Sequence, residues 1–437
     1  MVGLIYFSLP AQKEPGHIKA SFVKFEQDTS KKSYQTKQPQ DKIPLPKYTL
    51  GHEHAFVSYA QNVILMPYPR TALQSFHTAL EELVEKQRQK VNIVHFGDSH
   101  IQADYFTNQV RAHFNDELLL GNGGRGYFFP CRIAQGGDAP ANISVSYKGI
   151  WQGCKNIQTY ANCSWGLGGM TSTTSDSTAF FKVDPNLYSN HHYVSTRAKV
   201  YYPTNNAAMY NVKVLTPKGT VYPCRLDGQG FAEFCFDEPQ TSIVFHLEKT
   251  SPAQNTFVLE GISLENDDYG VQYSAVGVNS ATIPSFLKSP KLEQHIHSLE
   301  ADLVVVSLGT NDAYGLGFDD AYFKIQYAKL IQRIRSAAPD ASILLTTPGD
   351  CALPGGALNP SNVKACRVIK ELAQEYNCAV WDLFAVMGGL GSVGKWLKNG
   401  LTAYDQVHFS GKGYRLQGDL LYDALIQDYG LYKQQKK

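Results

Sequence analysis

The run Val91-Asn92-Ile93-Val94-His95-Phe96 is apolar and rich in β-branched residues, and it stops at Gly97-Asp98-Ser99. Such a run fits a strand of a parallel sheet covered on both faces. Gly97 permits a sharp exit, and the residues from Gln102 to Leu120 carry helical spacing. Ser99 therefore falls between the carboxyl end of a strand and the start of a helix, where open α/β sheets bind their ligands. Taken alone, Asp98 and Ser99 also read as ordinary caps of the next helix. What lies downstream decides between the two readings.

The α/β pattern continues only after a long interruption. Strands are expected at Val271 to Val278, Leu303 to Ser307, Ser342 to Thr346 and Ala379 to Leu383. They alternate with helices at Ser285 to Leu299, Ala321 to Ala338, Asn362 to Tyr376 and Gly413 to Gln427. With the strand before Ser99, this predicts a flavodoxin-like three-layer α/β/α sandwich whose five parallel strands run in the order 2-1-3-4-5, Ser99 standing at the switch point. An amphipathic helix over Thr71 to Gln89 leads into it.

Between residues 125 and 269 the pattern changes to short alternating or β-branched runs separated by turn signals such as Pro217-Lys218-Gly219. That spacing predicts an antiparallel β-sandwich inserted into the α/β domain. The expected division is a leader or extended arm over 1–50, a first α/β part over 51–124, the insert over 125–269 and a second α/β part over 270–437. Gly121-Asn122-Gly123-Gly124-Arg125-Gly126 matches a dinucleotide fingerprint by letter. It follows a helix instead of a strand, however, and is expected to be a turn.

A net charge of +1 gives no electrostatic case for nucleic acid. The apolar run Val2 to Ala11 is too short to span a bilayer and lacks a basic flank, so no integral membrane segment is expected. It fits the stump of a secretory signal or a peptide packed on the fold. None of the eight cysteines forms a C-x-x-C pair. Cys154 with Cys163, and Cys224 with Cys235, are close enough for local disulfides in an exported protein, and buried free thiols are the alternative.

Two further segments at expected strand ends, and one loop before the last helix, carry groups able to work with Ser99. They are Gly277-Val278-Asn279-Ser280-Ala281, Gly309-Thr310-Asn311-Asp312-Ala313-Tyr314 and Asp405-Gln406-Val407-His408. A serine hydroxyl becomes a nucleophile when an imidazole takes its proton, and a carboxylate fixes that imidazole's tautomer. His408 and Asp405 share a loop and can supply both. The backbone N–H of Ser99, an N–H near Ser280 and the Asn311 amide are candidate oxyanion donors. A metal-dependent phosphoesterase using Asp98, His100, Asn311, Asp312 and His408 is the competing chemistry, and it leaves Ser99 unexplained.

Gly97-Asp98-Ser99-His100, Gly309-Thr310-Asn311-Asp312 and Asp405-Gln406-Val407-His408 resemble, in order, the blocks of the SGNH (GDSL-like) hydrolase superfamily. The Gly-Asp-Ser-His variant, Ala313-Tyr314 and the β insert are similar to bacterial peptidoglycan O-acetylesterases. The resemblance implies Ser99 as nucleophile, His408 as general base and then acid, Asp405 as its orienting partner and Asn311 as an oxyanion donor. Where the family offers a glycine N–H, this chain has Ser280, which serves if its backbone angles are ordinary; Gly277 is the fallback. No cofactor and no metal are implied. The expected activity is hydrolysis of O-acetyl or other small acyl esters on a cell-envelope polysaccharide by an exported enzyme. The alternatives are an O-acyltransferase, an esterase for plant polysaccharide or lipid, and a non-catalytic glycan-binding protein. Trp151, Trp165 and Tyr314, with Tyr160 and Tyr188, are candidate substrate-binding aromatics.

Overall fold

The computed structural model describes residues 50–117, 121–134, 140, 142–158, 163–186, 192–228 and 230–436. The leader expected over 1–50, apart from Leu50, and Tyr160 and Tyr188 lie outside them. The central sheet runs Gly270–Gly277, Lys90–Gly97, Leu303–Ser307, Ser342–Thr346, Ala379–Trp381, all parallel, which is the order 2-1-3-4-5. A sixth strand, Ile64–Leu65, adds antiparallel to the outer edge against Trp381 and Val380. Two residues are too few for periodicity to reveal, and this strand was not expected.

Alternating strand residues feed two cores. Leu303 and Val305 join Phe76, Val110 and Leu420 on one face, while Val304 and Val306 join Ile296, Leu330 and Leu372 on the other. Burial on both faces is why these strands read as unbroken apolar runs. The helix expected over Ser285 to Leu299 is two, Ile283–Leu287 and Leu292–Ser298. Pro290 separates them, since it donates no N–H and biases Ser289 away from helical angles. The helix after Ser99 likewise breaks into Ser99–Gln102 and Tyr105–Glu117, with Asp104 at a φ of 60° between them.

Two five-stranded antiparallel sheets make up most of the insert. One runs Gly219–Val221, Asn211–Thr216, Ile243–Glu248, Phe180–Asp184, Ser144–Lys148; the other Arg225–Asp227, Phe231–Gln240, Ser195–Tyr201, Gly261–Glu265, Gly124–Phe128. Phe234 of the second meets Phe245 of the first edge-on at 5.9 Å. A three-stranded sheet, Phe257–Leu259, Met170–Thr174, Gln152–Lys155, completes it. The glycine segment expected as a turn instead starts the strand Gly124–Phe128, because the Gly126 Cα lies too close to the Ser274 backbone for any side chain. Cys154 is bonded to Cys163 and Cys224 to Cys235; Cys131, Cys351, Cys366 and Cys378 are buried thiols.

The sandwich shares its core with one face of the α/β sheet. Phe181, Phe234 and Phe245 belong to the same continuous apolar cluster as Val276, Phe286 and Val304. Polar groups reinforce the junction: Tyr127 N–H donates to Ser274 Oγ at 2.9 Å, and the Tyr127 hydroxyl to the Glu260 carbonyl at 2.7 Å. Beside them the buried Asp104 carboxylate receives Arg125 at 2.6 Å and Arg111 at 3.3 Å. Burial raises the Asp104 carboxyl, but the two guanidiniums outweigh it and hold the group below its ordinary value.

Candidate active site

Ser99 opens the short helix Ser99–Gln102, and Asp98 caps it by accepting from His100 N–H. The helix can sit this close to the sheet because Gly97 and Gly277 lack side chains. A Cβ on Gly277 would lie 2.1 Å from Gln102 N, and one on Gly97 2.1 Å from Ile101. Gly277 is thus used for close packing.

His408 comes from a loop that folds back on itself, with Ala403 N–H donating to the His408 carbonyl at 2.8 Å. Asp405 Oδ1 accepts from the N–H groups of Val407 and His408, both at 3.0 Å, and Oδ2 lies 2.7 Å from His408 Nδ1. Three-residue spacing lets one carboxylate hold both the loop and the ring. Although burial raises the Asp405 carboxyl, the imidazole and the two N–H groups draw it below its ordinary value. On the far side of the ring, Nε2 is 2.8 Å from Ser99 Oγ. The three residues form one hydrogen-bonded chain, the arrangement a serine nucleophile requires.

Val278 to Ala281 form a tight turn closed by Ala281 N–H to the Val278 carbonyl at 3.0 Å. Gln102 Oε1 pins the turn by accepting from Asn279 N–H at 2.7 Å. Ser280 occupies the third position with a φ of 64°, so its angles are left-handed, not ordinary. That position of a type II turn favours glycine, so serine sits there under strain, against the expectation of ordinary angles, but it keeps its backbone N–H. Among the described residues, neither Ser99 N–H nor Ser280 N–H has an acceptor in the protein.

The Asn311 amide is already engaged, donating to the Ala281 carbonyl at 3.0 Å and to Asp98 Oδ2 at 3.2 Å. Donating to an oxyanion requires exchange of one of these bonds. The neighbouring Asp312 accepts from Ile283 N–H at 3.1 Å. Burial pushes its carboxyl up to about 7, with the Asp98 charge adding to the effect.

Trp151 and Trp165 are not surface aromatics. Trp151 is 4% exposed and packs on Phe181 and Phe257, and Trp165 is 7% exposed. Trp151 fills the core of the insert, and Trp165 is buried where its carbonyl accepts from Ser289 Oγ at 2.9 Å. Tyr314 is 43% exposed and close enough to Asp405 to feel its charge. Sequence reading missed two exposed rings beside the same loop. Tyr404, 96% exposed, immediately precedes Asp405, and Tyr105 stacks on Tyr414. The adjacency of Tyr404 to Asp405 was the available signal. His95 is structural, held between Tyr273 Oη at 2.7 Å and Ser307 Oγ at 2.6 Å, and burial, with a small push from Arg111, lowers it to about 3. Among the described residues, no three His, Cys, Asp or Glu side chains are grouped as metal ligands.

Residues 256–416 match the model of the GDSL-like lipase/acylhydrolase family. No curated protein matches the chain. Among solved structures, a peptidoglycan O-acetylesterase is similar at 23% identity and a TM-score of 0.69, over 84% of this chain and 99% of that one. A lipase/acylhydrolase from Enterococcus faecalis aligns at 24% identity and a TM-score of 0.31, over 36% of this chain and 77% of that one. An acetylxylan esterase from Geobacillus stearothermophilus aligns at 22% and 0.28, over 37% and 74%. Only the first of these bears on the fold, and it extends through the insert. Residues 256–416 are thus similar to the GDSL-like lipase/acylhydrolase family, and the architecture of the chain resembles that of a peptidoglycan O-acetylesterase.

Proposed function

We propose that the protein removes O-acetyl or similarly small acyl groups from a polysaccharide, peptidoglycan or another cell-envelope glycan, by an acyl-enzyme mechanism. The observation that carries this reading is the unbroken chain from Ser99 Oγ through His408 to Asp405, 2.8 and 2.7 Å long in its two links. Ser99 attacks the ester carbonyl while His408 takes its proton. The same imidazole then gives that proton to the departing sugar oxygen, which leaves as a hydroxyl, and activates water against the acyl-enzyme. The N–H groups of Ser99 and Ser280 receive the oxyanion, joined by Asn311 once its amide leaves the Asp98 carboxylate. Sugar contacts come from Tyr314, Tyr404 and Tyr105, which replace Trp151 and Trp165 in this role. The substrate class is supported by the similar structure's being a peptidoglycan O-acetylesterase, and export is supported by two disulfides.

The test sets acetylated peptidoglycan, acetylated xylan, a short lipid ester and an aryl acetate side by side and measures released acid. Ser99→Ala is expected to lower turnover on every substrate by about 10⁴-fold or more. Retention of more than about a tenth of wild-type activity overturns the nucleophile assignment. Acetate released fastest from peptidoglycan supports the substrate assignment, and preference for xylan or lipid ester overturns it. A protein that binds glycan but never releases acid is a lectin on an esterase scaffold.

A further inference from the structure

His100 follows Ser99 and Phe409 follows His408, and one tyrosine touches both. Tyr414 stands in the first turn of the helix Gly411–Gln435, its N–H donating to the Ser410 carbonyl at 2.9 Å. The Tyr414 ring packs on Phe409, centroids 5.5 Å apart, and its hydroxyl lies 2.9 Å from His100 Nδ1. Burial raises this phenol well above its ordinary value, against the pull of the Phe409 N–H, so the group keeps its proton. A phenol that keeps its proton can donate it to His100 Nδ1. Nδ1 is then an acceptor and His100 carries its own proton on Nε2. Burial lowers His100, outweighing the Asp98 charge, and keeps the ring neutral.

This neutral ring is packed on three sides. Its centroid lies 5.4 Å from that of His408 at a tilt of 34°, 5.8 Å from Phe409 and 5.7 Å from Tyr414. Tyr105 covers the outer face of Tyr414, nearly parallel at 6.2 Å. The segments bearing Ser99 and His408 are 309 residues apart in the chain, and nothing local sets their spacing.

We propose that Tyr414 is a positioning residue, a strut whose hydroxyl holds His100 while its ring packs on Phe409, and which thereby keeps Ser99 Oγ within reach of His408 Nε2. It acts through His100, whose ring backs His408 as that imidazole gains and loses charge. The inference rests on the reading of Ser99 and His408 as the reacting pair. Loss of the strut leaves both groups in place but loosens their separation, and a displacement near 1 Å costs about 10²-fold in rate. Substrate binding does not involve the strut, so the loss falls on kcat and spares KM.

The experiment uses the full chain and an aryl acetate, with Tyr414→Phe, His100→Ala, His100→Asn and the double variant Tyr414→Phe with His100→Ala. Asn offers an amide oxygen near the place of Nδ1 and can still accept from the tyrosine. Tyr414→Phe and His100→Ala are each expected to lower kcat by about 10- to 100-fold with KM within about twofold. The double variant should be no slower than the slower single, and His100→Asn should recover most of what His100→Ala loses. A folded Tyr414→Phe with kcat within about twofold of wild type overturns the strut, as do single losses that multiply in the double variant. If Tyr414→Phe does not fold, the comparison of His100→Ala with His100→Asn decides: equal losses overturn the proposal. Ser99→Ala separates this from the underlying reading. Activity lost in Ser99→Ala but normal in Tyr414→Phe removes the strut alone, whereas activity kept in Ser99→Ala removes the site.

Discussion

Ser280 has a φ of 64°, in the region where a Cβ costs about 1–2 kcal/mol. Its expected contribution to the reaction is a backbone N–H, which every residue except proline possesses. Ser280→Gly removes the strained Cβ while loosening the unfolded chain by roughly 0.5–1 kcal/mol, so the two effects largely cancel in stability. Turnover on an aryl acetate is expected to stay within about twofold of wild type. Ser280→Val places a branched side chain in the same angles, shifts the turn and is expected to lower kcat by about 10-fold or more with KM nearly unchanged. Steady-state kinetics check both, and a fully active Ser280→Val shows that this turn does not shape the site.

The residue scale also shows where sequence is readable. That Ser99, His408 and Asp405 come together was legible, because one follows a strand and the other two share the loop before the last helix. Trp151 was not, since it precedes the strand Gln152–Lys155 and only its packing on Phe181 and Phe257 shows that it is buried. Tyr414 was not either. Its place in an amphipathic helix is explained by packing alone, and its hydroxyl meets His100, 314 residues away in the chain.

At the scale of elements, the parallel strands were legible because both faces are buried, and their order followed from connection rules. Strands such as Met170–Thr174 and Arg225–Asp227 were missed, being short, polar or strongly turned. Also unreadable was how the insert meets the sheet. Asp104 serves two guanidiniums there, and both it and Arg111 and Arg125 are buried. Asp104→Ala leaves two buried cations without a counter-charge and is expected to cost about 3–5 kcal/mol. Denaturant unfolding measures it. A loss below about 1 kcal/mol means that the junction is held by its apolar contacts alone. We expect excision of 125–269 to expose Val276, Phe286 and their neighbours and to leave an insoluble chain, because the sandwich and the sheet share one core.

At the scale of the whole molecule, Asp312 links stability to pH. Its carboxyl stands at about 7 in the fold against an ordinary 3.8. Between those values the folded chain holds a proton that the unfolded chain has released. Stability from this group is therefore complete below about pH 4 and declines by up to about 1.4 kcal/mol per pH unit until the proton leaves near pH 7. Asp312→Asn keeps a neutral side chain at every pH. Its melting temperature should lose this slope, so that wild type and variant diverge as pH rises from 4 to 7 and run parallel above. Parallel curves throughout would show that Asp312 is ionised in the fold at all these pH values.

His408 and Asp405 are 43% and 49% exposed along their side chains, so the proposed reacting groups lie at an open face and not at the end of a tunnel. A tunnel admits a free chain end and counts residues inward from it; an open face has no way to count. An enzyme of this shape meets esters in the interior of a long strand as readily as near its terminus. Deacetylation should then be scattered along the polymer, with single strands left partly modified throughout, in place of a bare segment advancing from one end.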